Sequence, residues 1–117
     1  MSLREDFDQD LLVWALEEYE LKVDYDMPCK GLYCPDELVL YYNPREIENN
    51  RDFYITVLHE VGHALDTQEI YSELEIEDLA TGWARTRRYR YIVDYFISDQ
   101  KGERRGDLWE IMDGRDI

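Results

Sequence analysis

The sequence predicts a small α+β domain, and three observations carry that reading. The chain has 117 residues, enough for one domain with one modest core. Segments of helical apolar periodicity flank two short segments of strand character. No repeat, low-complexity tract or Ser/Gly/Pro linker divides the chain, so residues 1–117 read as a single unit.

Residues 7–20 place Phe7, Leu11, Leu12, Trp14, Ala15 and Leu16 at near-helical spacing with acids between them, an amphipathic helix that covers one side of the core. "ELKVDYDM" (20–27) alternates Leu21, Val23, Tyr25 and Met27 against Lys22, Asp24 and Asp26, as a half-buried strand does. "ELVLYY" (37–42) is a second strand. Pro28, Gly31 and Pro35 lie between the two, so a hairpin with a long connection is expected. Cys29 and Cys34 flank "KGLY" in that connection. Their spacing is wider than that of a zinc knuckle and no other cysteine exists, which favours a loop disulfide or two free thiols over metal.

"NPREIENNRD" (43–52) carries a helix-start signal at Asn43 before Pro44 and a second near Asn50 or Asp52. A helix then runs to about Asp66, with Phe53, Val57, Leu58, Val61 and Leu65 as its core stripe. Residues 73–96 read as one further helix, burying Leu74 or Ile76, Leu79 or Ala80, Trp83, Ala84, Tyr91 and Tyr95. The tail 101–117 holds a short Gly-bounded helix with Leu108, Trp109, Ile111 and Met112, which most simply caps the core.

Composition excludes several partners. The net charge of −15 repels phosphate backbones and anionic membranes, so no nucleic-acid or membrane partner is expected. No apolar run approaches the eighteen or so residues that a bilayer span needs. The first twenty residues scatter charge throughout and do not resemble a secretory signal, which makes a cytoplasmic protein the expectation. Charge is also uneven: residues 1–84 hold 5 Lys or Arg against 21 acids, and 85–117 hold 8 against 7.

The chemistry concentrates in "HEVGH" (59–63), which contains both histidines of the chain. Residues four apart on a helix project from one face about 6 Å apart, so two imidazoles can converge on one ion. Zinc takes such nitrogens at roughly 2.0–2.1 Å, and a catalytic zinc adds a third protein ligand and an open position for water. Glu60 directly follows the first histidine and is placed to act as general base, taking a proton from the water and passing it to a leaving amine. Chance would place two histidines and a following glutamate this way only about 0.2% of the time, so coincidence is a weak rival.

The third ligand is sought among the acids downstream. Asp66 continues the helix one turn past His63 on a short side chain, so it is expected to support a ligand rather than touch the ion. Glu69 falls in the exit loop. Glu73, Glu75 and Glu77, in the first turn of the next helix, remain candidates.

"HEVGH" followed by "EDLATGWA" (77–84) resembles the zinc metallopeptidases called gluzincins, whose third ligand is a glutamate opening a later helix. The resemblance covers about residues 37–84, and the small size is similar to single-domain minigluzincins. It implies a small zincin-like domain in which a short antiparallel or mixed sheet packs on an active-site helix and a Glu-bearing helix. It puts the zinc on His59, His63 and Glu77, with Ala80, Trp83 and Ala84 at the small and aromatic positions of the second motif. Thr81 stands where relatives commonly carry an acid or amide that holds a ligand histidine, and is expected to make that contact through its hydroxyl. In gluzincins the strand before the motif helix is an edge on which a peptide lies, which implies a substrate-binding rim at Leu38, Leu40 and Tyr42.

Arg88, Tyr91 and Tyr95 share the face of Glu77, but eleven residues of unbroken helix is about 16 Å, so they reach a substrate only if Gly82 breaks the helix. The resemblance to minigluzincins further implies a latent state, with the tail 101–117 over the cleft. The expected function is zinc-dependent hydrolysis of peptide bonds in a peptide or protein substrate. The alternative is a zinc-binding regulatory module with weak activity or none.

Overall fold

The computed structural model describes residues 2–100, and the expected cleft-covering tail 101–117 lies outside them. In chain order the elements are α1 (Leu3–Asp6), α2 (Gln9–Glu18), β1 (Glu20–Val23), β2 (Gly31–Cys34), β3 (Val39–Tyr42), α3 (Asn50–Leu65), α4 (Glu73–Trp83) and α5 (Arg87–Gln100). The α+β class expected from the sequence holds.

The first helix is shorter than its periodicity suggests, because Asp8 takes an extended conformation and its carboxylate accepts the Leu11 N–H at 3.0 Å. That cap starts α2 at Gln9. Phe7, just outside it, stacks on Trp83 with ring centroids 3.7 Å apart. Trp14, expected on the apolar face, is half exposed.

The sheet is mixed, in the order β1-β3-β2, and corrects the expected hairpin. The segment read as a connection supplies its own strand. β2 pairs antiparallel with β3, Leu32 opposite Tyr41, and β1 pairs parallel with the other side of β3, Leu21 opposite Leu40. β1 stops at Val23 because Asp24 accepts the Asp26 N–H at 2.9 Å in a local turn. Cys29 and Cys34 are both free thiols, Cys34 being the last residue of β2 and Cys29 lying just before the strand.

Asn43 and Pro44 open a turn rather than a helix. The buried Asn43 side chain donates to the Met27 carbonyl at 2.7 Å and accepts the Arg45 N–H, clamping the loop that leads to β2. α3 starts where the second signal lies, with Asn49 accepting the Asp52 N–H at 2.9 Å. The helix expected over 73–96 breaks at Ala84–Thr86. There the Arg85 and Thr86 N–H groups turn back to the carbonyls of Gly82 and Trp83, and the Thr86 carbonyl receives the Tyr89 and Arg90 N–H groups to open α5.

α2, β1, β3, α3, α4 and α5 share one core. Leu12, Leu40, Leu58, Ile76 and Ile92 are fully buried, and each such side chain stabilises the fold by about 1.5–3 kcal/mol. Ile76, not Leu74, supplies the first buried contact of α4. At Gly62 the two helices come so close that a Cβ would stand 2.9 Å from Cγ2 of Ile76. Only a glycine on α3 permits that approach without displacement, and it brings the start of α4 to the histidines. No helix among the described residues is long and apolar enough to cross a membrane.

Candidate metal centre

Steps of three and four residues along α3 turn Asp52, Thr56, His59, Glu60 and His63 towards one cleft of about 360 Å³. Lys30, Gly31 and Leu32 close it from the β2 side, and Glu73 and Glu77 from α4. β2 crosses directly over the general-base candidate. A Cβ on Gly31 would meet both Oε2 of Glu60 and Cγ2 of Thr56 at 2.9 Å.

The two Nε2 atoms of His59 and His63 lie 3.0 Å apart. One Glu73 carboxylate spans them, with Oε2 at 3.0 Å from His59 Nε2 and Oε1 at 2.9 Å from His63 Nε2. This trio can hold a metal ion, since each residue offers a donor atom and all three atoms lie within 4.8 Å of one another. Zinc suits the set in kind: imidazole and carboxylate are its usual ligands, and at 2.0–2.1 Å in a tetrahedron they would stand about 3.3 Å apart, against 2.9–3.0 Å here. A slight spreading of the donors makes the room.

Glu77, expected as the third ligand, stands elsewhere. Its Oε2 accepts from Nδ1 of His59, on the far edge of the ring from the shared Nε2 pair. Glu73 is one helical turn nearer the N-terminus, and that turn is what carries its carboxylate to the gap between the histidines. Glu75 is spent on a capping box, its carboxylate accepting the Ser72 N–H and its own N–H donating to Ser72 Oγ. The contact anticipated for Thr81 thus falls to Glu77, while the Thr81 hydroxyl bonds back to the Glu77 carbonyl at 2.8 Å.

Asp66 touches neither histidine. Its buried carboxylate accepts the Ile70 and Tyr71 N–H groups at 3.0 and 2.9 Å, folding the connection that returns the chain to α4. It positions Glu73 indirectly.

The substrate rim expected at Leu38, Leu40 and Tyr42 does not fit the sheet order. β3 is the central strand, Leu40 and Tyr42 are buried in the core, and Leu38 sits outside the strand in the turn after Pro35, with φ 56°. The edge above the cleft is β2. Nor do Arg88, Tyr91 or Tyr95 line the cleft despite the helix break; Arg88 donates instead to Gln9 at 2.7 Å.

Burial pushes the Glu60 carboxyl up to about 7; the field of His59 opposes this, the charges of Glu73 and Glu77 reinforce it, and the Tyr33 N–H opposes it again. A carboxyl poised there suits proton transfer near neutrality. For Glu73 burial also acts upward, but the facing His63 and His59 outweigh it and hold the carboxyl below its ordinary range.

Sequence reasoning missed Lys30, Gly31 and Gly62 as parts of this centre, and Glu73, one of its three candidate ligands, was passed over when the resemblance pointed to Glu77. Ser72 three residues before Glu75 is a capping-box signature that removes Glu75 and sets the start of α4. Comparison of the chain with protein-family models, curated proteins and solved structures finds no match, so the centre is read from its own geometry.

Proposed function

We propose that the protein is a zinc-dependent metallopeptidase, built on a small zincin-like domain of the gluzincin type. One observation carries the proposal: two imidazole nitrogens and a carboxylate converge on one point, beside the buried Glu60 and beneath an edge strand. His59, His63 and Glu73 hold the ion. Glu77 keeps the His59 ring turned so that Nε2 faces the shared point. Zinc bound there supplies a Lewis acid that polarises the scissile carbonyl and acidifies a water. Glu60 takes the proton from the attacking water and delivers it to the leaving amine nitrogen.

The substrate is an extended peptide laid along β2. The Asn43 N–H bonds the Lys30 carbonyl at 2.9 Å, and in an antiparallel ladder the bonding residues alternate. Gly31 and Tyr33 therefore turn their backbone groups away from β3; the Tyr33 N–H meets Glu60 and the Gly31 carbonyl accepts the Cys29 thiol at 3.3 Å, which leaves the Gly31 N–H and the Tyr33 carbonyl to pair with an incoming chain. Backbone pairing of this kind binds peptides with little sequence preference. The missing side chain at Gly31 lets β2 itself lie against Glu60.

Casein offers an unfolded polypeptide without a required sequence, and gel electrophoresis reads its fragmentation. Zinc-loaded protein is expected to cut it, a chelator to stop the reaction and added zinc to restore it. Intact casein after incubation with protein of verified zinc content would refute the peptidase proposal.

A further inference from the structure

We propose that Lys30 is a specificity-determining residue of the cleft, taking a carboxylate of the substrate about three residues from the scissile bond. The inference rests on the peptidase reading above and adds the class of peptide preferred. Lys30 is the only lysine or arginine among the described residues lining the cavity. Its carbonyl is fixed to the Asn43 N–H, and its ammonium reaches Asp52 Oδ1 at 3.0 Å. Asp52 is itself anchored, with Oδ2 accepting the Glu48 N–H at 3.0 Å and its own N–H donating to Asn49. The hydrogen bond that Lys30 donates to Asp52 raises the Lys30 pKa, so the ammonium stays charged.

The two partners are not equally placed. The Asp52 side chain is 19% exposed and that of Lys30 48%, so the ammonium stands in front of its carboxylate. An ammonium has three donors and Asp52 Oδ1 engages one, which leaves donors for an acceptor from the cleft. A carboxylate answers them best, through charge-assisted hydrogen bonds.

Position gives the register. Asp52 precedes His59 by seven residues of α3, about 10.5 Å along the helix axis. A strand-like peptide advances about 3.3–3.4 Å per residue, so a chain that runs alongside α3 with its scissile carbonyl at the histidines brings its third residue level with Asp52, where the Lys30 ammonium lies. That carboxylate is supplied by an Asp or Glu side chain or by the terminus of a short peptide. The net charge of −15 repels anions at long range, so the preference is confined to one position rather than extended to acidic peptides at large.

Fluorescence anisotropy on the zinc-loaded Glu60→Gln protein measures peptide binding without cleavage. One series walks a Glu or Gln along an amidated peptide; a second compares free and amidated C-termini at graded lengths. At one position or length the carboxylate form is expected to bind roughly tenfold more tightly than its neutral partner. Lys30→Met should bring that ratio to about one, and Lys30→Arg should retain it. A ratio unchanged by Lys30→Met, an absence of any carboxylate preference, or no binding of any peptide would each overturn the inference. Failure of the peptidase reading shows separately, as intact casein with the zinc-loaded wild type.

Discussion

Glu60→Gln is expected to slow casein hydrolysis by about 10²–10⁴-fold, the usual contribution of a general acid–base group, while zinc content stays at that of the wild type. The substitution keeps the shape of the side chain and removes only its ability to accept and carry a proton. Glu60 sits under β2 against Gly31 and Thr56 and is not one of the three groups that meet at the ion site. A buried carboxylate also costs desolvation, so the amide does not threaten the fold. Unchanged hydrolysis would remove Glu60 from the chemistry. Zinc binding with no hydrolysis in wild type and variant alike would favour the regulatory-module alternative.

Gly62→Val is the second large effect, and it acts on fold and centre together. The added branched side chain begins 2.9 Å from Ile76 Cγ2, with Ile76 Cδ1 and Trp83 Cζ3 at 3.5 Å. Ile76 is fully buried within the shared core, so the added volume is expected to push α4 off α3. Overpacking of this kind costs about 1–3 kcal/mol, measurable as a lower midpoint in urea unfolding. Because α4 carries Glu73 and Glu77, zinc affinity should fall at least about tenfold in the same variant, given the sensitivity of such sites to ligand support. Gly82→Ala is the control. Nothing lies within 4 Å of a Cβ there, and replacing an open helical glycine with alanine should stabilise by up to about 1 kcal/mol. A Gly62→Val protein with wild-type stability and zinc affinity would mean that the close approach of the helices does not place the glutamates.

The parts of the fold that were legible in the sequence have strong local signals. The core stripe of α3, with Val57, Leu58, Val61 and Leu65 buried, follows directly from periodicity, and its start, expected near Asn50 or Asp52, falls at Asn50 with Asn49 as the cap. β2 was hidden because its four residues begin with Gly31 and lie between Pro28 and Pro35, which read as turn chemistry. Pairing with the apolar β3 overrides that weak local preference. Missing β2 displaced the substrate edge to β3, which in fact lies at the centre of the sheet.

Within the candidate centre, the placing of His59, Glu60 and His63 along one cleft was legible because residues three and four apart share a helix face. The choice between Glu73 and Glu77 was not. Both lie on α4 one turn apart, and which carboxylate reaches the shared nitrogens depends on how α4 is set against α3. Asp66 and Gly62 fix that setting through tertiary contacts with Tyr71 and Ile76. Periodicity within α4 alone carries no trace of them.

The measurement that tests the account most directly is the metal content of the purified protein by mass spectrometry, with wild type beside His63→Ala, Glu73→Ala and Glu77→Ala. The account predicts about one zinc per wild-type chain, lost in His63→Ala and Glu73→Ala and retained, with weaker affinity, in Glu77→Ala. No zinc in the wild type after reconstitution would contradict it, leaving His59, His63 and Glu73 as a hydrogen-bonded cluster at the meeting of two helices.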